Sequence, residues 1–272
     1  MAASDLAPRT LVNGQPAAQV AALDRGLSYG DGVFRTLRID AGAPRWWNDH
    51  VDKLRADCAR LGLDCPPESV WRGDLEQLGL PESGLLRLTL TRGEGPRGYR
   101  PPAQPNLTRI VSLWPAAQDG PPARGITARV CHLRLGHQPA LAGVKHLNRL
   151  ENVLARSEWS DPDIREGILL DQDGRVVSGV MSNLFIWREG ELWTPPLNRC
   201  GVAGVARARL MALAAGAGYP VREAELELED VLGAEEVMFT NSAILLWRLA
   251  RLDERTWVHP VVSRDLWERL NA

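Results

Sequence analysis

Lysine is scarce in this chain of 272 residues: Lys53 and Lys145 stand against 30 arginines. A coding bias toward arginine accounts for the ratio, and it makes each retained lysine conspicuous. Arginine holds a salt bridge or a phosphate, but its guanidinium stays protonated and forms no imine at working pH. A lysine amine can lose its proton and bond to an aldehyde. Lys145 follows a strand-like segment and a loop, and the periodicity places it at the entry of a helix over 145–159. A helix N-terminus and partial burial both lower a lysine pKa, which frees the neutral amine. The same position also suits an ordinary surface lysine.

Three other segments carry groups suited to chemistry. GVAGVAR (201–207) runs from a glycine loop into a helix, where the N–H groups of Val205 and Ala206 can bind a phosphate in front of the helix dipole. It is neither GxGxxG nor a P-loop, so it gives no support to nucleotide binding. TRGEGPRGYR (91–100) sets Arg92, Arg97 and Arg100 on a glycine-rich loop. Such an arginine can clamp a carboxylate with two parallel hydrogen bonds, or it can belong to a solvated basic turn. FTNSA (239–243) places Asn241 and Ser242 just after a strand, as donors to an anion or as a cap for a following helix.

Composition excludes several classes. Apolar residues make up 44% and charged residues 24%, the ordinary globular mixture. The formal charge of -2 creates no global field toward nucleic acid or an anionic membrane. No apolar run reaches the roughly 20 residues that span a bilayer. MAASDLAPRT lacks the basic and apolar regions of a secretory signal, so a cytoplasmic protein is expected. The four cysteines are scattered, as reduced thiols are, and the five histidines lack metal-ligand spacing. No metal is expected.

The elements that must position these groups follow from periodicity and turns. LVNGQP (11–16) reads as strand and turn, and 30–40, 85–93 and 109–115 read as strands. Val51, Leu54, Cys58 and Leu61 form the apolar stripe of a helix from His50 to about Leu61, capped by Asn48 or Asp49. AAQDGPPAR (116–124) reads as a linker between a small domain, 1–115, and a larger one, 125–272, that holds Lys145. In the second part, 126–135 reads as strand, and Leu147, Leu150 and Leu154 share one face of the 145–159 helix. Hairpins turn at Asp173-Gly174 and Glu189-Gly190, a helix covers 201–218, and 235–241 is a late strand. The expected fold is mixed α/β (α+β) with antiparallel-rich sheets and flanking helices, without the regular alternation of a doubly wound sheet.

The order of these segments resembles the fold-type IV pyridoxal-phosphate enzymes, the group of branched-chain and D-amino-acid aminotransferases. The resemblance runs from about Val12 to about Arg248. GVKHLNRLENVL (143–154) and TRGEGPRGY (91–99) are similar to the lyase members. YGDGVFRTLR (29–38), HVDKLRADCARL (50–61), NLF (183–185), GVAGVAR and FTNSA are similar to the wider group. The resemblance implies pyridoxal 5'-phosphate as cofactor, held by Lys145 as a Schiff base, with the same lysine moving protons. It implies cofactor-phosphate contacts from Val205, Ala206, Ser242 and Lys53, the last standing where the group usually has arginine. It assigns Arg97 to the substrate carboxylate and sets Thr36 and Tyr99 on the substrate pocket, with Thr36 helping the leaving group. A homodimer is implied as well.

One departure bears on the reaction. Where the group places a glutamate beside the pyridine nitrogen, this chain has Ser178. A neutral hydroxyl holds a protonated ring nitrogen less firmly than a carboxylate does. That weakens the electron sink a transaminase needs, whereas a lyase whose product becomes aromatic has a driving force of its own. The expectation is therefore a lyase that eliminates pyruvate from an amino-bearing enolpyruvyl ether. The alternative is a branched-chain or D-amino-acid aminotransferase.

Overall fold

The structure is a computed structural model that describes residues 9–115 and 122–271. Residues 116–121 of the expected linker lie outside the described residues. Two compact units divide the chain: one spans 1–118 with 144–148, and the other spans 119–143 with 149–272. The lysine segment Val144–Asn148 thus groups with the first unit, although the rest of 125–272 groups with the second.

The first unit holds β1 (Arg9–Val12), β2 (Gln15–Pro16), α1 (Arg25–Tyr29), β3 (Gly32–Asp40), β4 (Ala43–Pro44), α2 (Trp47–Arg60), α3 (Glu68–Leu78), β5 (Ser83–Thr91) and β6 (Thr108–Trp114). Its sheet runs β2-β1-β6-β5-β3-β4 and every pairing is antiparallel. Alternation along β3 explains its placement. Val33, Leu37 and Ile39 point into the core with the Val51, Leu54 and Cys58 stripe of α2, whereas Thr36 and Arg38 on the opposite face are only half-buried. Leu54 is fully buried, so Leu54→Ala would cost about 2–5 kcal/mol. The helix begins at Trp47, after Trp46 in the left-handed region (φ 55°), and neither Asn48 nor Asp49 caps it. Asp49 instead sits in the first turn, where its charge meets the positive end of the helix dipole.

The second unit holds β7 (Ile126–Leu135), α4 (Leu150–Arg156), β8 (Ile164–Asp171), β9 (Val176–Gly179), β10 (Asn183–Arg188), β11 (Glu191–Thr194), α5 (Val205–Gly216), β12 (Val221–Glu223), α6 (Leu228–Gly233), β13 (Glu236–Asn241), β14 (Leu245–Leu252), β15 (Arg255–Thr256) and α7 (Val262–Asn271). Its sheet runs β12-β11-β10-β13-β14-β7-β8-β9, with β15 on β14. Both hairpins turn where expected. Glu189 (φ 54°) and Gly190 (φ 78°) occupy the left-handed region that a two-residue turn of this hand requires.

The 145–159 helix is corrected. Only Leu150–Arg156 is helical, and Lys145 lies in extended chain that bridges β3 through Val33 and His146. Backbone bonds from Phe34 N to Lys145 O (3.0 Å) and from Leu147 N to Gly32 O (2.9 Å) compete with helical ones and win. Leu147 accordingly packs at Gly32, while Leu150, Val153 and Leu154 stand exposed on α4.

Candidate functional site

In the first unit, Lys145 is held by its main chain on both sides. Its carbonyl accepts from Phe34 N, and its N–H donates to Asp57 Oδ2 at 3.0 Å. The amine Nζ lies 4.5 Å from the centroid of the Phe34 ring. An aromatic face solvates an ammonium poorly compared with water, but it stabilises the cation through its quadrupole. Lys145 therefore does not sit at a helix N-terminus, contrary to the sequence expectation, since α4 starts only at Leu150.

Those charges come from α2 and β3. Asp57 is buried to 1% exposure and also receives the guanidinium of the equally buried Arg35 and the ammonium of Lys53. Burial lowers the Lys53 pKa, against the raising pull of Asp57. His50, one turn before Lys53, is buried and its pKa falls to about 3, first through desolvation and then through the charges of Arg35 and Lys145. It is a neutral imidazole at physiological pH.

The face of β3 that carries Phe34 also carries Thr36, which is half-buried. Arg87 of β5 is the register partner of Thr36 and stacks on Phe34, 4.1 Å from guanidinium carbon to ring centroid. Burial lowers the Arg87 pKa, and no carboxylate pairs with it among the described residues. Arg87 Nε donates to Thr89 Oγ1 at 3.5 Å, and a desolvated guanidinium with no carboxylate of its own is suited to a substrate carboxylate. Sequence reasoning missed Arg87. No local signal marks it, because the polar face of an alternating strand such as LLRLTLT ordinarily carries a charged residue.

Arg97 and Tyr99 stand exposed on their loop, Tyr99 at 87%. The loop itself is well held: Arg25 donates to Gly98 O (2.9 Å) and Tyr99 O (3.1 Å), and Gly98 N donates to the Tyr29 hydroxyl (3.0 Å). Arg92 is no carboxylate clamp. It is buried and committed to Asp31 (2.8 Å) and to the carbonyls of Gly62 (3.0 Å) and Leu61 (2.6 Å).

In the second unit, GVAGVAR, the 178–183 turn and FTNSA come together. Asn183 makes the joint: its Nδ2 donates to Val202 O (2.8 Å), its Oδ1 accepts from Gly204 N (3.2 Å), and its backbone pairs with Thr240. Asn241 Nδ2 donates to Met181 O (3.1 Å), while its Oδ1 accepts from Ala243 N and Ile244 N (2.8 and 2.9 Å). Asn241 thus closes a turn into β14; no helix follows. The Ser242 hydroxyl beside it has no hydrogen-bond partner among the described residues.

This region fits a phosphate. No side chain caps α5, and the N–H groups of Val205 and Ala206 meet no acceptor among the described residues. A Cβ on Gly204 would fall 2.5 Å from Asn183 Oδ1, so the approach to the helix start requires glycine.

Ser178 is buried on β9 and donates to Gly179 O at 2.8 Å, leaving only lone pairs for another group. Glu166, a buried acid in this region, has its carboxylate engaged by the turn. Its carboxylate accepts from Gly167 N and Val180 N (2.9 Å each) and from Ser182 Oγ (2.7 Å). It organises the turn, and burial raises its pKa against those donors. The structure also draws His137 to Asp171 (2.9 Å) and Asp173 (4.0 Å), although the histidines show no metal spacing in sequence. Asp171 is largely occupied by the N–H groups of Asp173 and Arg175.

The sequence matches the amino-transferase class IV family over residues 32–252, and the chain belongs to that family. It is 35% identical over 239 residues to an aminodeoxychorismate lyase of Vibrio harveyi, covering 86% of this chain and 87% of that protein. It is 33% identical to a putative branched-chain-amino-acid aminotransferase of Methanocaldococcus jannaschii, covering 88% and 84%. Among solved structures, 4-amino-4-deoxychorismate lyase from Pseudomonas aeruginosa superposes with a TM-score of 0.91 at 42% identity, over 96% of this chain and 98% of that one. A branched-chain aminotransferase from Thermoproteus uzoniensis, solved with norvaline, has a TM-score of 0.87 at 23% identity, over 97% and 93%, and shares the fold.

Proposed function

We propose that this protein is a pyridoxal-phosphate-dependent lyase that converts aminodeoxychorismate to p-aminobenzoate and pyruvate, a step that serves folate synthesis. The observation that carries the reading is the Phe34–Lys145 contact, with Thr36 and Arg87 on the same face of β3 and β5. It puts a base, a hydroxyl donor and a carboxylate-binding cation in one place. The similarity to lyases named for this reaction supports the choice of substrate.

Pyridoxal phosphate, when bound, supplies the electron sink that makes the carbon bearing the substrate amine acidic. Lys145 would hold the cofactor, and its free amine would be the base that takes the proton from that ring carbon. The neighbouring carbon–oxygen bond then breaks, and its electron pair leaves with the enolpyruvyl oxygen. Thr36 is placed to donate to that oxygen, and tautomerisation of the released enol gives pyruvate. The ring left behind is aromatic, which drives the step. Arg87 and Arg97 bind substrate carboxylates, and Tyr99 lines the pocket. Val205, Ala206 and Ser242, with Lys53, are the residues that would hold the cofactor phosphate, and Ser178 would offer a hydroxyl to the pyridine nitrogen.

The reading extends to a cytoplasmic homodimer. Leu150, Val153 and Leu154 on α4 are 54–68% exposed, and such an apolar stripe is suited to burial against a second copy. No described helix is long and apolar enough to cross a membrane.

An assay for pyruvate and p-aminobenzoate from aminodeoxychorismate tests the reading. No turnover by cofactor-saturated protein rejects it. The aminotransferase reading is favoured by the 33% identity to the Methanocaldococcus jannaschii protein. It is distinguished by a half-reaction in which a branched-chain or D-amino acid converts the bound cofactor to its amine form.

A further inference from the structure

We infer that Asp57 is a positioning residue for Lys145: its buried carboxylate clamps the lysine main chain and supplies the counter-charge for the cations around it. The inference rests on the proposed role of Lys145 and deepens it.

The geometry is specific. Asp57 Oδ2 accepts the Lys145 N–H at 3.0 Å and also receives Arg35, while Oδ1 receives Lys53. Arg35 Nη2 reaches on to Lys53 O at 3.4 Å. Both lysines of the chain thus meet one carboxylate, Lys53 by its ammonium and Lys145 by its backbone. With Phe34 N on the Lys145 carbonyl, both sides of the residue are fixed, and the side chain leaves from a defined point toward the Phe34 ring. A reacting amine that must meet an aldehyde gains from such fixation, because misplacement by about 1 Å can cost about 100-fold in rate.

Charge makes the second half of the argument. Five ionisable groups connect to Lys145 directly or through Asp57, His50 or Phe34: Arg35 on β3, His50, Lys53 and Asp57 on α2, and Arg87 on β5. His50 is neutral, so Asp57 is the sole anion among these five. Without it, the positive charges of Arg35 and Lys53 would lose their shared carboxylate, and the buried Arg35 would lose its ion pair.

The test compares the cofactor-loaded parent with Asp57→Asn, with Arg35→Met, and with the double change Arg35→Met and Asp57→Leu. Removing one partner of a buried ion pair destabilises, whereas replacing both by apolar residues of similar size is often neutral. The double variant therefore separates folding from positioning. The measurements are the thermal midpoint, the cofactor dissociation constant, borohydride trapping mapped to Lys145 or Lys53, and the pH midpoint of the cofactor absorbance. The expected result is a folded double variant that binds the cofactor about tenfold more weakly or worse and traps less at Lys145. Asp57→Asn moves the pH midpoint down by about one unit and Arg35→Met moves it up, because a nearby positive charge disfavours a protonated imine.

Parent-like affinity and trapping in a folded double variant overturn the inference. If the double variant does not fold, the single variants decide, and an unmoved pH midpoint in both overturns it equally. Cofactor absent from Lys145 in the parent sinks the functional reading instead, and so the two failures are distinguishable.

Discussion

Asp57 accepts the main-chain N–H of Lys145 at 3.0 Å, across 88 positions of sequence. Helix α2 and the lysine segment are thereby joined through the backbone of the residue proposed to do the chemistry. The side chain then runs to the Phe34 ring, with Nζ 4.5 Å from its centroid.

Lys145→Ala should abolish borohydride-stable attachment of the cofactor and reduce turnover by at least about 100-fold, the lower end for losing a positioned base. Peptide mapping of the reduced parent should place the cofactor on Lys145 and leave Lys53 unmodified. Cofactor found on Lys53, or full turnover by the alanine variant, contradicts the assignment.

Arg87→Met should raise the KM for aminodeoxychorismate by about 10- to 100-fold, the value of a charge-assisted hydrogen bond to a carboxylate. Cofactor binding should be unchanged. Thr36→Val should act differently, lowering kcat with little effect on KM, because its donor matters once the leaving oxygen gathers charge. Steady-state kinetics of the two variants check the split.

Gly204→Ala should weaken binding of pyridoxal phosphate far more than binding of pyridoxal. The added Cβ would lie 2.5 Å from Asn183 Oδ1, disturbing the start of α5 where the phosphate is proposed to bind. Equal loss for the two ligands, measured by fluorescence titration, would mean that the phosphate binds elsewhere.

His50 should make the fold acid-sensitive. Its pKa falls from 6.5 to about 3 in the folded chain, so below pH 6.5 the unfolded chain takes up a proton that the folded one refuses. The stability contributed is full above pH 6.5 and is lost progressively as pH falls toward about 3. His50→Phe should flatten that part of the stability curve, as followed by denaturant unfolding at several pH values. An unchanged slope would assign the acid sensitivity to other groups.

Some of the site was legible because it depends on short-range rules. Scarcity of lysine singled out Lys53 and Lys145, and a glycine loop before an apolar helix singled out Val205 and Ala206. Arg87 was not legible as a site residue, since an arginine on a half-buried strand face looks like an edge residue until its register partner is known. Glu166 and Asn183 carry no local sign of a role in the site. Their work on the 178–183 turn appears only when β8, β9, β10 and the GVAGVAR loop are assembled.

The amino-acid sequence by itself determined the strands over 30–40, 85–93, 109–115, 126–135 and 235–241, the two hairpin turns and the apolar stripe of α2, because side-chain period and turn conformation act over a few residues. It also determined which amines are available for imine chemistry. Tertiary structure alone decided that Lys145 is extended and not helical, since its main chain bonds Phe34 and Asp57 and that of Leu147 bonds Gly32. Strand register alone set Arg87 opposite Thr36. Pairings between distant segments depend on which surfaces meet, and no local pattern encodes that.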